Sequence, residues 1–293
     1  MASSPFHSAT PSEVLARRPA ARGAELVRPL VGLAERLAYS SGLAALVGGA
    51  MTGAVGRAFA SPSAARDATL VACGAFVVYG VDRLRDLARD GSSSPRRSAF
   101  VARNRAGLLA ATGLAGLALA ALLAASPGAS SALCLAIGSV GLLHRRLKRD
   151  ARFKVAYVAA AWTAACVGLP WLGLADGRFS GGSGGAGGSA FAWALLFVGT
   201  AVTANLIASN LRDGKRGATG WVPTSALRTA RAIAGAGALL AVWAPSACAP
   251  LALIPALEWA ALQRFRGSEQ FAHLAVDGAL LSGALLAIAL LVG

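Results

Sequence analysis

The chain has 293 residues, of which 56% are apolar and only 14% are charged. A soluble globular domain carries about 25% charged residues, and the mean hydropathy of +0.59 exceeds what a single water-soluble core of this size could bury. The composition therefore excludes a soluble enzyme and predicts an all-α, polytopic membrane protein. The formal charge of +15 comes from 28 Lys and Arg residues that lie in short segments between apolar runs. That pattern encodes membrane topology, so we expect no nucleic-acid partner.

Nine apolar segments are candidate membrane-spanning helices, because a spanning helix needs about 20 mostly apolar residues. We number them spans 1 to 9 in chain order: residues 33–56, 67–84, 104–125, 129–144, 153–174, 190–211, 223–243, 246–262 and 271–292. Residues 1–30 lack the apolar run of a secretory signal, although an organellar transit peptide can look similar, and we interpret them as a disordered cytosolic tail. The rest, residues 31–293, is predicted to form one nine-span domain.

Positive charge is distributed unevenly among the segments that join the spans. If the spans cross the membrane in turn, 25 of the 28 Lys and Arg residues lie on one side of the membrane. The other three lie on the opposite side: Arg57, Arg66 and Arg178. The positive-inside rule then predicts a cytosolic N-terminus and an outer C-terminus. We expect an integral, multi-pass membrane protein of bacterial inner-membrane type. The glycine-rich segment from Gly177 to Ala190 is predicted to be a flexible outer loop.

Three carboxylates recur every four residues at the predicted cytosolic end of span 2. This spacing places Asp82, Asp86 and Asp90 on one helix face, where their oxygens could together hold a hard cation such as magnesium. Ion pairs of Asp82 with Arg85, and of Asp86 with Arg89, at i, i+3 spacing are an equally good explanation.

A second polar set occurs at the predicted cytosolic end of span 6. Asn210 and Asp213 share a helix face there, and Asn205 lies deeper. Because spans 2 and 6 both descend to the cytosol, their polar ends can face each other across one cavity, and polar groups at membrane depth usually mark a substrate or ion site. An interhelical hydrogen bond is the alternative explanation for Asn205.

The loop between spans 4 and 5, HRRLKRDARFK, has six cations and one acid. As a topology signal it needs no further function. A phosphate-rich substrate held over magnesium would nevertheless require cations nearby to balance its charge. Lys148 and Arg149 are the candidates for that role.

Taken together, these residues resemble the UbiA-type intramembrane aromatic prenyltransferases, which are nine-helix bundles with Asp-rich motifs after helices 2 and 6. The resemblance begins at about residue 35 and runs through VDRLRD, RRLKRDARFKVAYVAAAWTAACVGLP, ASNLRDGKRG and AVDGALL. In that family the motifs NxxxDxxxD and DxxxD bind magnesium that bridges a prenyl diphosphate. A lipid-facing tunnel takes the isoprenoid tail.

The resemblance implies a role for each matching residue. Asp82, Asp86 and Asp213 would be catalytic and hold Mg²⁺, and the prenyl diphosphate would be bound by Lys148, Arg149, Arg212 and Asn210. The chain departs from the family pattern at two positions. Val78 stands where the first motif has Asn, and Gly217 stands where the second motif has its last Asp. A missing carboxylate predicts that the second magnesium ion is poorly held.

The function expected from this resemblance is transfer of a prenyl group from a prenyl diphosphate to an aromatic or other electron-rich acceptor, either a small aromatic or a lipid. A catalytically weakened paralogue that binds isoprenoid or quinone is the alternative within the fold, and Gly217 supports it. A small-solute transporter is the alternative outside it. A transporter would place ionisable groups near the membrane midplane or in broken helices, where Glu258 and Asp277 are the deeper acids. The oligomeric state is left open.

Overall fold

The structure is a computed structural model that describes residues 32–87, 94–143, 151–176, 184–212, 223–266, 268 and 271–292. Within these ranges the chain forms helices and turns, without a β-strand. Several predictions fall outside the described residues: the tail 1–30, part of the glycine-rich loop (177–183), Asp90, and the cation-rich segment 144–150.

The described helices follow one another along the whole chain, in the places where the sequence is apolar. They are α1 (Gly32–Tyr39), α2 (Gly42–Ala58), α3 (Ala64–Arg85), α4 (Pro95–Arg103), α5 (Arg105–Ala124), α6 (Gly128–Leu142), α7 (Ala151–Thr163), α8 (Leu169–Asp176), α9 (Gly184–Arg212), α10 (Pro223–Leu239), α11 (Leu253–Gln263) and α12 (Asp277–Val292). A π-helical turn, Ala164–Gly168, joins α7 to α8, and another, Ala272–Val276, precedes α12. Two 3₁₀ turns, Leu240–Trp243 and Ala249–Ala252, lie between α10 and α11.

The predicted all-α architecture is confirmed for the described residues, but the number of nine spans is not. Five helical stretches are long and apolar enough to cross a membrane: Ala64–Arg85, Arg105–Ala124, Phe153–Leu174, Gly188–Leu211 and Leu274–Val292. α1 and α2 together would make a sixth span, which is broken because the two helices are bent by 83° relative to each other. These stretches make the protein a membrane-embedded helical bundle, and α6 is a shorter apolar helix of 15 residues.

Predicted spans 7 and 8 contain α-helices shorter than a full span, although α10 continues as the 3₁₀ turn Leu240–Trp243, so that predicted span 7 is helical throughout. α10 has 17 residues and carries two arginines, Arg228 and Arg231. α11 has 11 residues, because residues 249–252 around Pro250 wind as a 3₁₀ turn before the α-helix begins. At about 1.5 Å per residue, a helix of that length covers about 17 Å, well below the roughly 30 Å of a bilayer core.

Predicted span 1 is broken rather than continuous. Ser41, between α1 and α2, has a φ of 73°, a left-handed conformation that is uncommon for a residue other than glycine. Its side chain is fully buried, and the guanidinium of Arg83 on α3 donates a hydrogen bond of 2.5 Å to the carbonyl oxygen of Ala38 on α1. This hydrogen bond joins α1 to the end of α3 that carries Asp82.

Small residues set the distance between several helices. Gly283 of α12 faces the backbone of α11, where a Cβ atom would lie 2.7 Å from both Ile254 Cα and the Leu253 carbonyl oxygen. Gly56 of α2 faces α3 in the same way, with a Cβ position 2.6 Å from Ala64 Cβ. Glycine at such positions lets helix backbones approach closely in a membrane bundle. The main buried core lies beside these contacts and includes Met51, Phe197 and Ile254.

Membrane topology can be tested with reporter fusions at three points. A fusion after Arg97 and one after Arg149 are expected to report the cytosol, and one between Gly181 and Gly188 is expected to report the outside, because positive charge marks the inner side. Since α5 is long enough to cross the membrane, the first two report the same side only if α6 crosses it as well. The third lies beyond the Phe153–Leu174 stretch. A cytosolic signal from the glycine-rich loop would contradict the alternating arrangement of loops.

Candidate functional site

An apolar cavity of about 350 Å³ lies between α3, α5, α6 and α7. Its wall consists mostly of aliphatic side chains and glycines, including Val78, Leu119, Ile137, Gly138 and Val158. Ligand pockets in proteins commonly have volumes of about 300–1,000 Å³. The cavity therefore has the size and the apolar wall of a binding site for a small hydrophobic molecule or part of a larger one.

Polar side chains gather in one part of this wall. Asp82, Tyr79 and Tyr157 all line the cavity, and Asp82 lies three residues after Tyr79 on the same face of α3. The indole N–H of Trp162 donates a hydrogen bond of 3.0 Å to the hydroxyl oxygen of Tyr79, and their ring centroids are 6.1 Å apart. The site thus combines a long apolar wall with one carboxylate and two phenols.

Asp82 and Asp86 differ in their surroundings although they share a helix face. Asp82 is part-exposed and lines the cavity. Asp86 is 5% exposed and follows the last residue of α3, where its backbone N–H donates to the Asp82 carbonyl oxygen at 2.9 Å. Within the described part of the chain, no ion pair joins Asp82 to Arg85. Arg89, the predicted partner of Asp86 in the alternative explanation, lies outside it.

The end of α9 contacts α7 through a pair of polar side chains. Lys154 Nζ donates a hydrogen bond of 3.0 Å to Asn210 Oδ1, and Asn210 is 9% exposed. α7 also supplies Tyr157, one helical turn from Lys154, to the cavity wall. The ends of α3 and α9 that the sequence singled out therefore both face α7.

Lys154 is one of the six cations of HRRLKRDARFK, but it was not among the residues predicted to bind the diphosphate. Its signal was its position: it is the last cation of HRRLKRDARFK and lies inside predicted span 5, where a charge is rare and usually functional. The structure places Lys154 in the first half of α7 rather than in a loop.

Several predicted site residues lie beyond what the structure describes. Asp213, Gly217, Lys148 and Arg149 are outside the described ranges, so the predicted proximity of Asp213 to Asp82 stays a prediction. Arg212 is the last residue of α9. Among the residues that the structure does describe, no three His, Cys, Asp or Glu side chains group together as a metal site. Val78, at the position of the motif's Asn, lines the cavity.

The deeper acids form a second polar group at α9, α11 and α12. Asn205 Nδ2 donates a hydrogen bond of 3.1 Å to Asp277 Oδ1, which is the interhelical hydrogen bond considered for Asn205. Glu258 on α11 is 0% exposed, and neither of its carboxyl oxygens has a hydrogen-bond partner.

Two polar groups lie at the facing ends of α3, α7 and α9. Asp82 and its neighbours form the polar part of the cavity, and Lys154 with Asn210 joins α7 to α9. Comparison of the chain with family models, curated proteins and solved structures gave no match.

Proposed function

We propose that the chain is a magnesium-dependent intramembrane prenyltransferase of UbiA type, with a nine-helix bundle. It transfers a prenyl group from a prenyl diphosphate to an aromatic or other electron-rich acceptor. The observation that carries this proposal is the cavity of about 350 Å³ whose apolar wall includes Asp82, Tyr79 and Tyr157. Such a site matches a molecule with a long hydrocarbon part and a charged group.

The apolar wall suits the isoprenoid tail of the donor. Aliphatic side chains from four helices surround the space, and burying apolar surface in such a wall is favourable in proportion to the area removed from water. The glycines Gly74 and Gly138 have no atom within 4 Å of the position of a Cβ atom, so both leave open space beside the wall. The tail can therefore lie along α3 and α6.

The carboxylates fit the magnesium ion that the proposal requires. Mg²⁺ prefers oxygen ligands, keeps several waters, and is commonly held by one or two carboxylates together with substrate phosphates. Asp82 on the cavity wall would be the first ligand, with Asp86 directly after the end of α3, and Asp213 with Asn210 would belong to the second position. Bound magnesium would supply positive charge to the departing diphosphate.

The chain's own residues then have distinct tasks in the transfer. Lys148, Arg149 and Arg212 would neutralise the diphosphate oxygens, and Lys154, which donates a hydrogen bond to Asn210, would add a further cation. The C–O bond to the diphosphate breaks and leaves its electron pair on the diphosphate, while the allylic carbon becomes cation-like. The rings of Tyr79 and Tyr157 can stabilise that positive charge through their π faces, and the apolar wall keeps water away. The acceptor carbon bonds to the allylic carbon and then loses its proton.

A non-catalytic isoprenoid or quinone binder is the second candidate, because one observation favours it. Among the described residues of the cavity wall, Asp82 is the one that carries a charge, and Val78 lies where the motif's Asn would add a polar ligand. A wall of this kind can hold a hydrocarbon tail without supporting metal-assisted cleavage.

Incubation of the purified, detergent-solubilised protein with labelled prenyl diphosphates distinguishes the two candidates. We expect magnesium-dependent release of diphosphate in the presence of an aromatic acceptor, and loss of that release in excess chelator. Saturable binding of the labelled compound without any release of diphosphate would support the binder instead.

Filling the cavity is expected to block the donor without disturbing the fold. Gly138→Leu places a side chain in open space on the cavity wall and also improves helix propensity. We expect binding of a prenyl diphosphate to weaken by about tenfold or more, equivalent to about 1.4 kcal/mol. Binding is measured with the labelled donor at equilibrium.

Gly113→Leu on α5 is the matched control for Gly138→Leu. A Cβ atom at Gly113 also meets no other atom within 4 Å, but Gly113 does not belong to the cavity wall among the described residues. It should bind the donor as the parent protein does. Equal affinity in the Gly138→Leu variant and this control would show that the tail lies elsewhere.

A further inference from the structure

A group of buried and part-buried polar side chains lies among α9, α11 and α12, outside the wall of the cavity described above. Its centre is Glu258, which is 0% exposed and has no hydrogen-bond partner on either carboxyl oxygen. Asp277 is the first residue of α12, the helix that packs against α11 at Gly283. Asn205 of α9 donates to Asp277 Oδ1 at 3.1 Å.

The approach of α11 to α12 explains why these carboxyl groups meet. Gly283 allows α12 to contact the backbone of α11 at Ile254. Glu258 lies one turn after Ile254, and Asp277 lies less than two turns before Gly283. Since the chain runs in opposite directions in these two contacting helices, both acids lie on the same side of the Gly283 contact.

The described surroundings of Glu258 are apolar. The neighbouring buried cluster consists of apolar side chains such as Ala204, Leu262 and Val276. Arg231 of α10 donates to the carbonyl oxygens of Leu262 at 3.0 Å and Gln263 at 3.3 Å. Among the described Lys, Arg and His residues, none forms an ion pair with Glu258. A buried carboxylate in such a setting is strongly unfavourable, so Glu258 is either held as a neutral acid or accompanied by a positive species.

We propose that Glu258, Asp277 and Asn205 form a binding site for one sodium ion. The carboxyl oxygens of Glu258, the carboxylate of Asp277 and the side-chain carbonyl of Asn205 are oxygen ligands from three different helices. Asn205 uses its N–H₂ group for Asp277, so its oxygen stays available as a ligand. Ionisable residues inside a membrane bundle characteristically mark an ion or proton pathway.

Sodium fits this site better than magnesium does. Magnesium retains several waters and demands octahedral geometry, whereas the fully buried Glu258 offers no face to solvent. A monovalent alkali cation sheds its water more readily and can be bound by protein oxygens alone. The sodium site depends neither on Asp82 nor on the proposed prenyl transfer.

The test is a sodium titration of the purified protein, followed by its unfolding temperature. Choline chloride replaces sodium chloride at constant ionic strength and pH. A ligand that binds only the folded state raises stability in a saturable way, so we expect the unfolding temperature to rise by several degrees and then reach a plateau. Glu258→Gln keeps the shape of the side chain but removes its charge, and should abolish the shift. Glu35→Gln, on α1, is the control and should retain it.

Direct binding of radioactive sodium to the parent protein decides the proposal even if the Glu258→Gln variant folds poorly. We expect saturable binding of one ion per chain, with competition from excess unlabelled sodium but not from choline. Absence of saturable binding would overturn the proposal. So would a Glu258→Gln variant that unfolds at a higher temperature than a sodium-insensitive parent, because Glu258 would then be held as a neutral, protonated acid.

Discussion

Replacing Asp82 with alanine is expected to abolish the magnesium binding that a prenyl diphosphate induces in this protein. Asp82 is the carboxylate on the cavity wall. In many magnesium sites, phosphate oxygens of the substrate complete the coordination shell of the ion. The empty protein should therefore bind Mg²⁺ weakly, and a non-hydrolysable prenyl diphosphate analogue should raise that affinity by at least about tenfold, or about 1.4 kcal/mol. Calorimetric titration of magnesium, with and without the analogue, measures this linkage.

Two further variants show whether the linkage reports the proposed site. Gly217→Asp restores the carboxylate that the second motif lacks and should tighten the linked binding. Glu35→Ala removes a carboxylate from α1, away from the cavity wall, and should leave the linkage unchanged. If the parent protein shows no linkage at all, the transferase proposal fails and the non-catalytic binder becomes the better account.

Substituting Gly283 with leucine is expected to cause the largest loss of stability of any single change considered for this chain. A Cβ atom at this position would lie 2.7 Å from Ile254 Cα and from the Leu253 carbonyl oxygen. Both atoms belong to backbone, so no side-chain rotation can relieve the clash, and α11 must move away from α12. Overpacking of this kind typically costs about 1–3 kcal/mol for a few added methylene groups, and leucine at a backbone contact should reach or exceed that range.

The measurement is the unfolding temperature and the fraction of folded protein recovered in detergent. Gly278→Leu is the matched control on the same helix, because a Cβ atom there has no neighbour within 4 Å. Since leucine is a better helix former than glycine, this control should be as stable as the parent protein or slightly more stable. Equal stability of the Gly283→Leu variant would mean that the contact between α11 and α12 is looser than the structure describes.

The sequence determined where the helices are and which ends of them carry polar groups. Predicted span 2, residues 67–84, lies on α3, and predicted span 6, residues 190–211, lies on α9. These features are readable because a membrane helix satisfies its own backbone hydrogen bonds locally and needs a local run of apolar side chains. The ends of such runs, with Asp82 and Asn210, are equally local features.

Tertiary packing alone decided which of these residues meet and which helices are broken. Lys154 and Asn210 are 56 residues apart, and Asn205 and Asp277 are 72 residues apart, so no local pattern in the sequence pairs them. The bend of 83° between α1 and α2 divides the segment 33–56, which was predicted to be one continuous span. Burial without a partner, as at Glu258, likewise depends on neighbours from other helices. Hydropathy and spacing report the environment of a residue along its own helix, whereas the cavity and the acid pair arise from contacts between helices that are distant in the chain.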